Sequence, residues 1–171
     1  MKTLTKLIPV FALMIPAAAT ADALPKQVEA MQCLVGTWKA TGTVAMGKDT
    51  AKVTATWTCK ATSAKFGVLC ALDLAGIPGV PQYAETDLFG YEPNSNTAHW
   101  FSVTNAGETH DHVAPMPDGN SAEFVYTGTQ EGKPFKEVIK LTFIDKKNIT
   151  VRAETFVAGA STSVFDIKAK K

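Results

Sequence analysis

The chain has 171 residues, 46% of them hydrophobic and 19% charged, with a formal net charge of +1. This length is that of about one domain with room for a sizeable core. So even a charge balance leaves no electrostatic footprint for nucleic acid or for an anionic membrane surface, and the sequence argues against both as partners.

In chain order, Lys2 and Lys6 form a basic start, and an apolar stretch from Leu7 to Ala19 follows, interrupted by Pro9 and Pro16. This reads as a secretory signal over residues 1–23, with cleavage predicted after Ala23 and a nearby alternative site at Ala19-Thr20-Ala21. The apolar run is roughly two-thirds of the ~20 residues a bilayer span requires, so a retained anchor is the weaker reading. Cys33 follows Glu29-Ala30-Met31-Gln32, which is not a lipoprotein setting. Residues 24–171 are therefore expected as one soluble domain, periplasmic or secreted. Loss of Lys2, Lys6 and Asp22 brings the 17 basic and 16 acidic side chains into balance.

Leu24 to Leu34 is the one predicted helix. Pro25 suits its first turn, Val28, Met31 and Leu34 recur at helical spacing, and Gly36 ends it. After that the period switches to two. Trp38, Ala40, Gly42 and Val44 share one side of a first strand, opposite Lys39, Thr41 and Thr43. Val53, Ala55, Trp57 and Cys59 share a side of the second; Ile139, Leu141 and Phe143 do so later, as do Phe165 and Ile167. Turn residues break the chain at near-regular intervals into about ten strands, and connections this short permit only antiparallel neighbours. Closure of such a meander removes exposed edges, so the predicted fold class is all-β, an antiparallel up-and-down β-barrel. A two-sheet sandwich is the alternative.

An oxidising compartment would press Cys33, Cys59 and Cys70 toward one disulfide with one thiol left over. Cys59 and Cys70 lie on consecutive predicted strands and are the favoured pair, with the other pairings and three free thiols as alternatives. The chain lacks Cys-x-x-Cys, which argues against a thioredoxin-type role.

Leu34-Val35-Gly36-Thr37-Trp38 after a short helix resembles the Gly-x-Trp opening of lipocalins and the wider calycin group. That resemblance implies a calycin-like barrel in which Trp38 plugs one end and a small molecule occupies the interior. Leu88-Phe89-Gly90-Tyr91-Glu92-Pro93 and the Trp100-Phe101 strand make the chain similar to a family of secreted bacterial proteins known as a domain of unknown function. Nitrobindin-like barrels have a similar shape and hold haem through a histidine late in the chain. Here the histidines are His99, His110 and His112, none late enough, so haem is not expected.

His110-Asp111-His112 has metal-ligand character, because residues two apart on a strand point to one face. With Glu108 in phase, His110 and His112 could offer two nitrogens and a carboxylate to zinc or another transition metal. The competing reading turns them to solvent, with Asp111 or Val113 inward. Glu85 and Asp87 are spaced for one face and could pair as acid and base. They read more simply as surface carboxylates. Two apolar loops, Gly76 to Tyr83 and Ala114 to Pro117, are each either lids over the barrel mouth or folds against the core. No nucleophile elbow, phosphate-cradling loop or His-Glu-x-x-His helix is present, so binding is expected rather than catalysis. The expected partner is a small, largely apolar molecule, with Trp57, Phe101 and Phe143 as wall residues and His99, His110 or His112 giving polarity. A core filled by its own side chains is the alternative.

Overall fold

A computed structural model describes residues 24–63, 65–116 and 119–171; the predicted signal segment 1–23 lies outside them. The helix α1 (Lys26–Gln32) comes first, followed by ten strands. They are β1 (Gly36–Met46), β2 (Asp49–Ala61), β3 (Gly67–Ala75), β4 (Tyr83–Glu92) and β5 (Thr97–Thr104), then β6 (Thr109–Pro115), β7 (Ser121–Gln130), β8 (Lys133–Phe143), β9 (Asn148–Val157) and β10 (Ala160–Lys170). Each pairs antiparallel with its neighbour in sequence, and β1 pairs with β10 to close the barrel. The expected meander and closure are thus both found. No helix among the described residues is long and apolar enough to cross a membrane.

The ladders are long except at one seam. β1 and β2 register from Gly36 opposite Cys59 to Met46 opposite Asp49, whereas β6 and β7 register only at Val113 opposite Val125.

Alternation sends one side of each strand inward, as the sequence pattern implies. The main core fills the end where β1 begins, here the floor, and includes Trp38, Trp57, Phe89, Trp100, Phe124 and Leu141. α1 lies across that end against β3 and β4, burying Val28 and Met31. Trp38 is fully buried and its Nε1 donates to the Leu34 carbonyl at 2.7 Å, which ties the helix exit to the first strand. The Lys171 ammonium sits 4.7 Å from the Trp38 ring centroid and donates to the Cys33 carbonyl at 2.9 Å. Gly36, at φ +136°, passes so close that a Cβ there would lie 2.8 Å from Lys171 Cε. The glycine of Gly-x-Trp is therefore favoured by its backbone angle, while the lysine end beside it could move aside.

Cys59 and Cys70 face each other on β2 and β3, with Cα atoms 4.0 Å apart, and form the disulfide; Cys33, at the end of α1, is the free thiol. A smaller cluster of Val44, Val53 and Leu74 lines the opposite end, the mouth. Ile77 packs against it, which anchors the Gly76 to Tyr83 loop at the mouth. The second apolar loop belongs to the floor instead: Ala114 is buried and Met116 packs on the main core.

Candidate functional site

The interior between these two clusters is not uniformly apolar. On β4 the inward set is Tyr83, Glu85, Asp87, Phe89 and Tyr91, because Phe89 stands opposite Trp100 and Asp87 opposite Ser102. Asp87 is fully buried, contrary to its reading as a surface carboxylate. Trp100 Nε1 donates to Asp87 Oδ1 at 2.7 Å and Trp57 Nε1 to Asp87 Oδ2 at 2.8 Å. Buried indoles need acceptors, and Asp87 serves two that stack on one another with centroids 5.6 Å apart. Its neighbour Glu85 is half-buried and accepts from the Tyr83 hydroxyl at 2.9 Å.

Burial, and then the Glu85 carboxylate beside it, push the Asp87 acid well above the usual carboxyl range, against the opposing pull of the two indoles. Burial and Glu85 likewise raise the Tyr83 phenol. On this wall burial favours the neutral forms of the Asp87 acid and the Tyr83 phenol, which stand beside the Glu85 carboxyl.

A second cluster comes from β6, β7 and β8. His110 and His112 point inward, and Asp111 outward. His112 is almost wholly buried; its Nε2 lies 2.8 Å from Glu137 Oε2 and its Nδ1 lies 3.3 Å from the Trp100 carbonyl. His110 Nδ1 is 3.2 Å from the same Glu137 oxygen. Tyr126 stacks on His110 at 4.1 Å with planes 16° apart. Gly128 makes room for that ring, since a Cβ there would fall 2.5 Å from the Tyr126 hydroxyl. Burial works to raise the Glu137 carboxyl, but hydrogen bonds and charge from the two histidines outweigh it and hold it at about 2. The Glu137 hydrogen bond raises His110 in turn, partly offset by burial.

Of the residues predicted from sequence, Trp57, His110 and His112 face the interior. Phe143 faces inward at the floor, where it lines a cleft of about 60 Å³ beside Met31 and Phe124. His99 and Phe101 lie on the outer wall. Register with Trp100 inward forces both neighbours out, so Phe101 is 40% exposed and His99 meets Asp111 at 3.1 Å. Glu108 sits exposed in the turn before β6, and Glu137 takes the place beside the histidines. Glu137 was legible in principle, being in phase with Phe135, Ile139 and Leu141 on a strand whose inward face is otherwise apolar.

Around these groups, Ala55, Leu72, Val151, Ala153 and Ile167 also face inward yet stay partly exposed. Alternation turns their side chains away from the outer surface. A groove of about 550 Å³ lies over β1 to β3, lined by Lys39, Thr41, Thr56 and Asp73 and also by Ala40 and Ala55. The interior carboxylates and histidines do not line it.

No protein-family model and no curated protein matches the chain. Among solved structures it is similar to the crystal structure of Rv2717c from M. tuberculosis. The TM-score is 0.63 at 13% identity, over 87% of this chain and 99% of that one. It is also similar to the S-type phycobiliprotein lyase CPES from Guillardia theta, with a TM-score of 0.55 at 8% identity, over 84% of this chain and 90% of that one. At such identities the likeness is one of fold alone: a closed antiparallel β-barrel.

Proposed function

We propose that this protein binds a small amphipathic molecule inside the barrel, its apolar body against Ala55, Leu72, Val151, Ala153 and Ile167 and its polar end against the buried ionisable groups. The observation that carries this reading is the partial exposure of inward-facing side chains around Glu85, His110 and Glu137. A core filled by its own side chains would have no use for three titratable groups on its inner wall, each costly to desolvate. Pockets that are mostly apolar with a few convergent polar groups are the usual form of a small-molecule site. The fold shared with a phycobiliprotein lyase is in keeping with this use. The disulfide supports the further proposal that the protein works outside the cytoplasm, where such bonds persist.

The reading predicts that 1-anilinonaphthalene-8-sulfonate, an aromatic body with one anionic group, binds the folded protein and gains fluorescence. Ala153→Trp, which fills the interior from β9, is expected to weaken that binding at least about tenfold, or ~1.4 kcal/mol, while the circular dichroism spectrum stays native. Dye binding that is unchanged in a folded Ala153→Trp protein would place the dye outside the barrel and overturn the proposal.

A further inference from the structure

We propose that His110, His112 and Glu137 hold a divalent first-row transition metal ion of the zinc class inside the barrel. Such a site is independent of the organic ligand and turns on what the two ring nitrogens of His112 face.

His112 Nδ1 is directed at the Trp100 carbonyl, 3.3 Å away, which can only accept. A ring hydrogen on Nδ1 would satisfy that carbonyl. Nε2 would then present its lone pair 2.8 Å from a carboxylate oxygen. In that tautomer two acceptors face each other beside a side chain only 2% exposed, and a cation between them would satisfy both.

Three observations favour the metal. First, a second imidazole converges on the same place: His110 Nδ1 lies 3.2 Å from the same Glu137 oxygen, and one donor atom from each residue lies within 4.8 Å of the others. Second, the two nitrogen to oxygen separations, 2.8 and 3.2 Å, are close to the edge of a tetrahedron around zinc, about 3.3 Å for bonds of about 2.0–2.1 Å. Third, the supports are those of a ligating site. The Nδ1 contact to the Trp100 carbonyl fixes the His112 tautomer with Nε2 free to bind, and the Tyr126 ring fixes the plane of His110. Two imidazoles and one carboxylate suit zinc, cobalt or nickel better than magnesium or calcium, which take oxygen ligands. Three protein donors also leave a coordination position toward the interior, for solvent or for a ligand's polar end.

The test uses cobalt(II) as the probe. Protein treated with chelator and then titrated with cobalt(II) is expected to develop the visible absorption bands of a four- or five-coordinate ion, saturating at one equivalent and abolished by one equivalent of zinc. His112 is packed in the core and its replacement endangers the fold, so Glu137→Gln and His110→Ala are the informative variants. Each, with a native circular dichroism spectrum, should lose at least about tenfold to 100-fold in affinity, the range already seen when only a supporting contact is removed. His99→Ala, which alters the outer-wall histidine, should bind as the wild type does. Absence of stoichiometric bands, or affinity unchanged in Glu137→Gln and His110→Ala, would overturn the proposal and leave the cluster held by its hydrogen bonds alone. Loss of dye binding in the interior would not touch this result, so the two proposals fail separately.

Discussion

Asp87→Ala is expected to destabilise the barrel by about 3–5 kcal/mol. The substitution leaves two buried indole N–H groups, on Trp57 and Trp100, without an acceptor, each at about 1–3 kcal/mol, and opens a void beneath stacked rings. Urea unfolding measures it, and a loss below about 1 kcal/mol would sink the account of Asp87 as the shared acceptor. The same residue gives a pH signature with a definite sign. Its folded-state pKa is raised above the ordinary carboxyl value of 3.8, so the protonated form is the one the fold favours. Stability from this group is fully present below that ordinary value and falls as pH climbs toward the raised one. Asp87→Asn cannot ionise and keeps one acceptor. It should be less stable than wild type in acid, by about 1–3 kcal/mol for the indole it leaves unpaired, with the gap narrowing as pH rises. A gap that widens with pH would show that Asp87 is ionised in the native barrel.

Trp38→Ala should cost a similar amount, about 3–5 kcal/mol, the range for deleting a buried large aromatic side chain. Trp38 is fully buried where the helix, the first strand and the chain's last lysine meet. Its loss would hollow the floor, orphan the Leu34 carbonyl and strip the Lys171 ammonium of its aromatic face. Trp38→Phe keeps most of the apolar area and should recover most of the stability, short of about 0.5–1.5 kcal/mol for the hydrogen bond. If thermal unfolding shows Trp38→Ala within a few degrees of wild type, Trp38 is not the plug.

The architecture was legible because β1 and β2 alternate cleanly, and small or apolar residues in phase with Trp38 and Trp57 can only face a core. The interior site was less legible for two physical reasons. Parity is absolute within a strand but says nothing between strands: Trp100 and Phe101 are equally aromatic, and only the β4 to β5 register decides that Trp100 goes in and Phe101 out. Charge also argues for solvent when read from sequence. Asp87 and Glu137 lie in phase with Phe89 and Ile139, and the chain keeps them inside by supplying donors from distant strands: Trp57 and Trp100 for one, His110 and His112 for the other. Glu108 is in phase with His110 and His112 but lies in the turn before β6, whereas Glu137 reaches the histidines through folding. The Cys59 to Cys70 bridge was accessible from sequence because its partners are neighbours across one hairpin.

The single register pair between β6 and β7 recasts the topology of the whole molecule. Cut there, the cylinder unrolls into a ten-stranded sheet ordered β7, β8, β9, β10, β1, β2, β3, β4, β5, β6, with the first and last strands side by side near its middle. The two ends of the chain are the spine of that sheet, and strands from the middle of the sequence are its margins. Two margins joined at one register pair are also the place where neighbouring strands exchange the fewest backbone partners. They run beside His110, His112 and Tyr126, so the least-sealed stretch of wall adjoins the most densely functionalised part of the interior.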